Sequence, residues 1–346
     1  MSSLVLVTGG SSFIGLHVIH QAIQQGHRVR TTIRNDSKKD LILNALKDWD
    51  SSLDYTSLQF TKADLLSDNG WDDAAAGVDY VLHIASPFPA SAPADEMDLI
   101  RPARDGTMRV MRAAKKSSTC KRVVITSSVA AIAYGNKPRT PNKYDEGDWT
   151  NVNAPGVSAY VKSKTLAEEA AWEYVKNGEG KGLELLAVNP VGVFGPQIRP
   201  EDESTTCSLI KQMLTGKLPL VPRISFGVVD VRDVASLHLL AMTKAEANGQ
   251  RYLANGSSQS MSLLEMSQAL RAQLGEKASK APTRVLPDWV VKVGALVMSQ
   301  LKTAASQMGR TEEISNEKAL ALGWKPRTPQ EAVVATAQRY IDKGIC

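Results

Sequence analysis

The segment LVLVTGGSSFIG, residues 4–15, constrains the fold of this chain more than any other stretch. A run of apolar residues leads directly into a turn with glycines at positions 9, 10 and 15. Apolar residues then recur at Ile14, Val18 and Ala22, a spacing that places side chains on one face of a helix. A buried strand, a glycine-rich turn and a helix in this order predict the first unit of a parallel α/β fold.

Short apolar runs rich in β-branched residues alternate with helical patterns through the first half of the chain. The first helix should end at Gly26, because glycine commonly follows the last turn of a helix. The further predicted strands are VRTTI from Val29, DYVLHIA at 79–85, RVVIT at 122–126 and LELLAV at 183–188. Such alternation predicts a doubly wound parallel sheet, the Rossmann architecture, with helices on both faces.

The alternation becomes less regular after Pro190, where the Pro-rich stretch LPLVPRISFG precedes more helices. This change predicts a smaller, mainly helical C-terminal lobe at the carboxyl edge of the sheet, where ligands bind in such folds. We expect residues 1–190 plus about 228–256 to form the Rossmann domain. Residues from about 191–227 plus 257–346 should form the substrate-binding lobe.

The glycine loop has the sequence expected of a phosphate-binding turn. The spacing of Gly10 and Gly15 also fits a P-loop, but Leu16 and His17 stand where that motif needs Lys and Ser or Thr. In the dinucleotide-binding motif G-x-G-x-x-G, the middle glycine is replaced here by Ser12. Backbone N–H groups at the start of the helix still attract a pyrophosphate, and the Ser12 hydroxyl can donate to it. A turn that binds no ligand is the alternative.

The end of the second predicted strand carries positive charge in the segment TTIRNDSKK. An NAD-binding unit places an acidic residue near this position to bind the ribose hydroxyls. This chain has Arg34, followed by Lys38 and Lys39, and Asp36 lies two residues too late. A guanidinium pairs with a 2′-phosphate in bidentate fashion, whereas a carboxylate repels it. The sequence therefore predicts NADPH as the cofactor, against the alternative of three solvated surface cations.

The stretch AYVKSK contains Tyr160 and Lys164, which lie on one face of a helix. Of the eight tyrosines in the chain, only Tyr160 has a lysine four residues later. A nearby lysine cation favours the phenolate and should lower the pKa of the tyrosine. The pair follows TSS, residues 126–128, at the end of a predicted strand, where a serine hydroxyl can donate to a carbonyl oxygen. Tyrosine, lysine and serine together predict acid–base chemistry at a carbonyl group.

The strand, the glycine loop, TSS and Y-x-x-x-K in this order resemble the extended short-chain dehydrogenase/reductase family. The resemblance covers almost the whole chain, including ADLL at 63–66, HIASP at 83–87, NPVGVFGP at 189–196, VDVRDVASLH and SNEKALALGWKPRTP at 315–329. Ser12 is the departure from the family motif T-G-x-x-G-x-x-G. The chain is most similar to the branch of dihydroflavonol reductases, cinnamoyl-CoA reductases and microbial aldehyde/ketone reductases.

The resemblance implies a role for each matching residue. Tyr160 donates the proton to the substrate carbonyl, Lys164 binds the nicotinamide ribose, and Ser128 orients the carbonyl, with Ser127 as the alternative serine. The residues expected at the cofactor are Thr8, Gly9, Gly10, Ser12, Phe13, Ile14, Gly15, Arg34, Lys38, Lys39, Asp64, Leu65, Ile84, Ala85, Ser86, Thr126, Tyr160, Lys164, Pro190 and Val193. Asp64 and Leu65 are implied at the adenine, and Pro190 along the nicotinamide.

Four apolar residues are the predicted wall of the substrate site, on their position in the sequence alone. These are Phe88, Phe194, Ile224 and Phe226. Apolar walls with few polar groups suit an aryl or alkyl ketone. We therefore expect an NADPH-dependent reductase that converts an aldehyde or ketone, such as a dihydroflavonol-like compound, to an alcohol. The alternative is that these side chains belong to the ordinary core.

Other functions fit the residues less well. A sugar-nucleotide epimerase or dehydratase shares the fold, but dehydratases place an Asp-Glu pair where Val129 and Ala130 follow Ser128. A redox-sensing regulator that binds NADP without catalysis should have lost Tyr160 or Lys164. The sequence contains no G-x-S-x-G, as a hydrolase would, and the five histidines show no metal-binding spacing, so no metal site is expected.

Composition limits the partners and the compartment. The net charge of +5 comes without a long Lys/Arg cluster, so we expect a small-molecule carbonyl substrate and no nucleic acid. Three widely spaced cysteines predict a reducing compartment. Neither a signal peptide nor a membrane span is visible, since the apolar stretch at 289–301 is short and interrupted by Lys292. The sequence predicts a cytoplasmic protein that acts away from membranes, with a homodimer as a possible assembly.

Overall fold

A parallel sheet forms the centre of the computed structural model, which describes residues 2–87, 95–201, 204–295, 305, 308–309 and 312–346. Within these residues the sheet has seven strands in the order β3-β2-β1-β4-β5-β7-β11. The strands are β1 (Leu4–Thr8), β2 (Arg28–Ile33), β3 (Gln59–Lys62), β4 (Tyr80–His83), β5 (Arg122–Thr126), β7 (Glu184–Pro190) and β11 (Arg251–Ala254). All six pairs of neighbours run parallel, as the doubly wound prediction requires.

The strands predicted from apolar runs are confirmed as β1, β2, β4, β5 and β7. The two edge strands, β3 and β11, were not expected. The central strand β1 is buried along its whole length, whereas β3 has partly and fully exposed residues because nothing pairs with its outer side. This exposure explains why β3 has few apolar residues and a sequence like that of a loop. The other edge strand, β11, is buried, but its four residues RYLA are too few to give a clear strand pattern.

Helices cover both faces of the sheet and continue into the second half of the chain. They are α1 (Phe13–Gln24), α2 (Ser37–Trp49), α3 (Trp71–Ala75), α4 (Met97–Lys116), α5 (Ala159–Asn177), α6 (Thr205–Thr215), α7 (Val231–Thr243), α8 (Leu263–Leu274), α9 (Asp288–Gly294), α10 (Glu317–Ala321) and α11 (Pro329–Asp342). Short 3-10 turns lie at Val129–Ala131, Ala245–Ala247 and Gly275–Ala278. In the described part of the chain, no helix is both long and apolar enough to cross a bilayer.

Short strand pairs connect the sheet to the C-terminal region. The remaining strands are β6 (Lys143–Tyr144), β8 (Gly192–Phe194), β9 (Ser225–Phe226), β10 (Val228–Asp230), β12 (Met261–Ser262) and β13 (Glu313–Ile314). They pair as β10 with β8, β12 with β9, and β13 with β6. The β9–β12 pair is antiparallel and the other two are parallel. The β10–β8 and β12–β9 pairs join segments that follow β7, whereas the β13–β6 pair joins the C-terminal region to the segment between β5 and α5.

The apolar core falls into three clusters. Two of them contain alternate residues of the central strands, Val5 and Val7 in one and Leu4 and Leu6 in the other, so they lie on opposite faces of the sheet. The third contains residues of α6, α8 and α11 together with Phe194, and it forms a separate core for the C-terminal region. The segment from Ile314 to Trp324 packs on the first cluster instead. The exact domain boundaries remain a prediction.

The direction of strand addition reverses between β1 and β4. From β1 the chain adds β2 and β3 on one side, and then β4, β5, β7 and β11 on the other. Loops that leave neighbouring strands at such a switch point diverge and open a crevice at the carboxyl edge, where open α/β sheets bind ligands. The glycine loop follows β1 and therefore lies at this crevice.

Candidate active site

Most of the predicted site residues lie at the carboxyl ends of the parallel strands. Thr8 ends β1, Thr126 ends β5 and Pro190 ends β7. Others follow β2, β3 and β4 within a few residues: Arg34, Lys38, Lys39, Asp64, Leu65, Ile84, Ala85 and Ser86. Because all these strands run in one direction, a single edge of the sheet brings together residues far apart in sequence.

The glycine loop has no room for side chains at its three glycines. Gly9 has φ +70°, and a Cβ there would lie 2.8 Å from the backbone of Ala85. A Cβ on Gly10 would lie 2.1 Å from the Thr31 hydroxyl oxygen, and one on Gly15 would lie 2.3 Å from the Gly9 carbonyl oxygen. The loop is thus packed tightly against the sheet, and its first helical turn, with Phe13 and Ile14, faces the crevice with backbone N–H groups.

Ser12 fits the loop without the conformation that would require glycine. Its φ is −79°, which any L-residue adopts, and its hydroxyl accepts a hydrogen bond from the Gly15 N–H at 3.1 Å. Ser12 is therefore the N-cap of α1, a position that serine favours. At this position the motif has a glycine, which lets a pyrophosphate approach the backbone closely. Here Ser12 caps α1 instead, and the fold of the loop is unchanged.

The cations after β2 lie at the surface. Arg34 and Lys39 are exposed, and Lys38 is half-buried at the start of α2. Asp36, the rival acidic residue, forms an ion pair with Lys62 at 2.7 Å. Its charge is therefore partly neutralised, and the exposed guanidinium of Arg34 is available for an anionic group at this end of the crevice.

Hydrogen bonds fix the end of β4 beside the glycine loop. The Thr8 hydroxyl oxygen accepts from the backbone N–H groups of Ile84 and Ala85, each at 3.1 Å. The same hydroxyl lies 2.8 Å from Nδ1 of His83. At the end of β3, the Asp64 carboxylate accepts from the Leu66 N–H at 3.0 Å and closes a tight turn. These bonds position the loop ends that would contact a dinucleotide.

Tyr160, Lys164 and Ser128 come together at the start of α5. Tyr160 is in the first turn of the helix and Lys164 is one turn further along. The Tyr160 and Ser128 hydroxyls are hydrogen-bonded, and Nζ of Lys164 donates to the Thr126 carbonyl oxygen at 3.4 Å. The neighbouring Ser127 donates to Glu168 at 2.5 Å, away from Tyr160. The geometry thus favours Ser128 over Ser127 as the serine partner of the tyrosine.

The protonation of this group differs from the expectation. Burial raises the pKa of Tyr160, and the hydrogen bond with Ser128 acts in the opposite direction. Burial also lowers the pKa of Lys164 to about 8, against the charge of Glu168. The predicted lowering of the tyrosine pKa by Lys164 is therefore not what the structure shows, because desolvation has the larger effect on the phenol. Tyr160 is a protonated hydroxyl at neutral pH.

An apolar cavity of about 350 Å³ opens beside this group. Its walls are mainly apolar and aromatic. Tyr134 lies between the cavity and the Tyr160 hydroxyl, since it lines the cavity and also raises the pKa of Tyr160. Two of the predicted substrate residues, Ile224 and Phe226, line it. Val193 lies on β8 close by, next to the lining residue Gly192.

The other predicted wall residues are placed differently. Phe194 is fully buried in the third core cluster, and its ring stacks on Phe226 with 6.2 Å between centroids, so it supports the wall from behind. Phe88 lies outside the described residues. The sequence missed Tyr134 and Tyr144, which both line the cavity. No local motif marks these two tyrosines, because segments between β5 and α5 bring them there.

The described residues contain no cluster of His, Cys, Asp or Glu that could hold a metal ion. The groups at the site that can take part in chemistry are the glycine loop, the surface cations and the Tyr160–Ser128–Lys164 group. A glycine loop at a helix N-terminus, a buried tyrosine hydroxyl and an apolar cavity are the parts that a dinucleotide-dependent reaction on a small organic substrate needs.

Comparison with known proteins agrees with this arrangement. Residues 5–254 match the model of the NAD dependent epimerase/dehydratase family. Cinnamoyl-CoA reductase CAD2 of Medicago truncatula is 37% identical over 258 residues, which cover 73% of this chain and 76% of that protein. The NADPH-dependent methylglyoxal reductase GRE2 of Saccharomyces cerevisiae is 32% identical over 263 residues, covering 72% and 77%.

Among solved structures, Gre2 of Candida albicans in complex with NADPH has the same fold. It superimposes with a TM-score of 0.81 at 26% identity, over 98% of this chain and 99% of that one. The match extends beyond residue 254, so it includes the C-terminal region with the third core cluster. The chain therefore belongs to the NAD dependent epimerase/dehydratase family, the extended short-chain dehydrogenases/reductases.

Proposed function

We propose that this protein is an NADPH-dependent carbonyl reductase that converts an aldehyde or ketone to an alcohol. The observation that carries this proposal is the hydrogen-bonded pair of Tyr160 and Ser128 beside Lys164, next to an apolar cavity that Val129 and Tyr134 line. The relatives support it, because one is a cinnamoyl-CoA reductase and another an NADPH-dependent methylglyoxal reductase.

The residues at the crevice fit NADPH. The three glycines whose Cβ atoms would clash leave backbone N–H groups as the surface of the loop, which suits a pyrophosphate. Arg34 would pair with the 2′-phosphate, with Lys38 and Lys39 beside it. When bound, NADPH supplies the hydride that reduces the carbonyl carbon.

The chain's own residues supply the proton. Reduction of a carbonyl needs an acid that is still protonated at neutral pH, and burial raises the pKa of Tyr160 so that its hydroxyl keeps its proton. Ser128, which shares a hydrogen bond with that hydroxyl, would orient the substrate oxygen toward it. Lys164 presents a cation one helical turn away, which stabilises the phenolate left after the proton has moved.

The cavity favours a small or medium-sized neutral substrate. Its volume of about 350 Å³ is at the lower end for ligand pockets, and its walls include Tyr134, Tyr144 and Phe226. Aromatic walls bind aryl and alkyl groups, so we infer an aryl or alkyl aldehyde or ketone as the substrate class. A nucleotide sugar would bring a diphosphate to these mainly apolar walls.

An assay of NADPH oxidation against a substrate panel tests the function. The panel contains methylglyoxal, isovaleraldehyde, aryl ketones, a dihydroflavonol, cinnamoyl-CoA and a UDP-sugar, with the Tyr160→Phe variant as control. We expect NADPH consumption with ketones or aldehydes, and a loss in the variant of about 10²-fold or more with NADPH binding retained. Conversion of only the UDP-sugar without net consumption, or a variant with more than a tenth of the activity, contradicts the proposal.

We also propose a cytoplasmic location and retain a homodimer as a prediction. The thiols of Cys120 and Cys207 support a reducing compartment, because both are free and burial raises the pKa of each to about 12. Localisation of a tagged chain checks the first statement. Light scattering on the purified protein checks the second, and a monomeric mass would contradict it.

A further inference from the structure

A buried carboxylate lies one helical turn beyond Lys164. Glu168 has a fully buried side chain, and its position puts it on the same face of α5 as Tyr160 and Lys164. Ser127 donates to its Oε2 at 2.5 Å, and Asn189 donates to the same oxygen at 2.8 Å. The catalytic helix therefore carries a third polar group below the pair that the sequence singled out.

An ion pair with Arg251 holds this carboxylate in place. Nε of Arg251 donates to Oε1 of Glu168 at 2.6 Å, and Nη2 donates to Oε2 at 3.3 Å. Trp172 adds a donor to Oε1 at 3.1 Å. Every contact is a donor, so Glu168 acts only as an acceptor, as an ionised carboxylate does.

Arg251 is itself fixed by the backbone. It comes from the edge strand β11, and its guanidinium donates to the carbonyl oxygens of Glu146 and Asp148 at 3.0 and 2.7 Å. It also stacks on the Trp149 ring, 3.8 Å from the centroid. A guanidinium so anchored holds the carboxylate in one orientation, since both of its oxygens are engaged.

A small polar cavity of about 20 Å³ lies between this network and the catalytic lysine. That volume is about what one water molecule needs. Most of its lining side chains offer polar atoms, as a buried water requires: His83, Ser86, Thr107, Thr126, Ser127, Lys164 and Glu168.

We propose that Glu168, fixed by Arg251, is the positioning residue that keeps Lys164 charged, and that one buried water in this cavity bridges the two side chains. The proposal rests on the proposed function, since it explains what keeps the lysine of that active site positively charged. Glu168 acts through Lys164 and has no contact with substrate.

The charges around Lys164 support this assignment. On its own helix it faces Tyr160, a neutral phenol, and Glu168. From β4 it faces His83, whose pKa burial lowers to about 3, so this ring is neutral too. From β11 comes the cation of Arg251, which is engaged with Glu168. Burial lowers the pKa of Lys164 to about 8, and Glu168 is the group that acts against it.

The pH profile of the Glu168→Gln variant tests the proposal. Loss of the carboxylate charge should move the alkaline limb of kcat/KM to lower pH by about one unit, the low end of the effect of a neighbouring charge. At pH 8 this corresponds to about a fivefold loss relative to the wild type. A purely structural role would lower kcat/KM equally at every pH, and that outcome overturns the proposal.

Two further variants separate charge from packing. Glu168→Asp keeps the charge, so the alkaline limb should return toward its wild-type position. Trp172→Phe removes one neutral donor from the same carboxylate and should leave the limb where it is. A shift in Trp172→Phe equal to that in Glu168→Gln contradicts the assignment to the charge.

A crystal structure of the wild-type NADPH complex tests the water independently of any variant. We expect an ordered water within hydrogen-bond distance of Lys164 Nζ and a Glu168 oxygen. An empty cavity overturns the proposal even if Glu168→Gln does not fold. If the wild type oxidises no NADPH with any carbonyl compound, the proposed function fails. The crystal structure would still show whether a water bridges Lys164 and Glu168.

Discussion

The two serines after β5 use their hydroxyls in opposite directions. Ser127 donates to Glu168, whereas Ser128 is hydrogen-bonded to Tyr160. Successive side chains of an extended segment alternate in direction, so only one of two adjacent serines can face the tyrosine. The sequence left the choice open because both residues satisfy the same motif, and the role of Ser128 stays a prediction.

Substitution of each serine by alanine distinguishes them. Ser128→Ala removes the partner of the Tyr160 hydroxyl, and we expect kcat/KM to fall about 10²-fold. Ser127→Ala removes one donor from Glu168 and should cost less than about tenfold, since the other donors remain. Steady-state kinetics with the best ketone of the panel measures both. Equal losses in the two variants, or a larger loss for Ser127→Ala, would reject the assignment.

Arg34 should decide the preference for NADPH over NADH. Its guanidinium is exposed after β2, we propose that it pairs with the 2′-phosphate, and a hydrogen bond to a charged group contributes about 1.5–3 kcal/mol. Arg34→Ala should therefore raise the KM for NADPH about tenfold or more and leave the KM for NADH unchanged. The matched control is Arg28→Ala, an exposed arginine at the opposite end of β2. A wild type that uses both cofactors equally would contradict the prediction.

At the scale of the element, the glycine loop and α1 behave as one unit. Ser12 caps the helix with φ −79°, while Gly10 packs against β2 through Thr31. The motif alone does not show which of the two positions tolerates substitution better, because both residues are small and lie in the same turn. The packing shows the difference: Ser12 can be replaced without a clash, whereas any side chain at Gly10 would clash with Thr31.

We expect opposite outcomes for substitutions at these two positions. Ser12→Gly should change stability by only a few tenths of a kcal/mol, because glycine is also accepted at an N-cap. Gly10→Ala places a Cβ 2.1 Å from the Thr31 hydroxyl oxygen, so the loop has to move and NADPH binding should fall sharply. Thermal unfolding and fluorescence titration with NADPH measure both variants. Normal cofactor binding by Gly10→Ala would show that the loop is not packed as described.

The elements that the sequence predicted are those with a strong local signal. β5 was predicted with its observed bounds because three consecutive residues of RVVIT, Val123 to Ile125, are apolar and β-branched. β3, with the sequence QFTK, and β11, with RYLA, have no such signal, and pairing with β2 and β7 makes them strands. The same holds for the site: the spacing of Tyr160 and Lys164 is local, whereas the role of Glu168 depends on Arg251, 83 residues away.

At the scale of the whole molecule, three buried histidines lie at separate places in the fold. His17 on α1 is bonded to the Pro196 carbonyl oxygen at 2.9 Å, and His238 on α7 to that of Val234 at 2.8 Å. His83 at the end of β4 lies between the hydroxyls of Thr8 and Thr107. Their hydrogen bonds join the glycine loop, the central sheet and the helices packed on it. Protonation of these rings should therefore change the stability of the whole fold.

Burial lowers the pKa of all three histidines, to about 4 for His17 and His238 and to about 3 for His83. In the unfolded chain each titrates near the ordinary value of about 6.5. Below that pH the unfolded state binds protons that the native state does not, so stability falls as the pH drops from about 6.5 toward 4. The buried carboxyls of Glu146 and Asp233 act in the opposite direction, since burial raises their pKa.

The expected loss is about 1.4 kcal/mol per pH unit for each histidine that stays neutral in the native state. Urea unfolding at pH 7, 6 and 5 measures it, with the free energy of unfolding expected to fall steeply below pH 6. Replacing His238 with Asn removes the contribution of that ring and should lower the slope by about 1.4 kcal/mol per pH unit. If the free energy of unfolding does not change between pH 7 and 5, these rings accept protons in the native state. Water would then reach the buried sites where the glycine loop, the sheet and the helices meet.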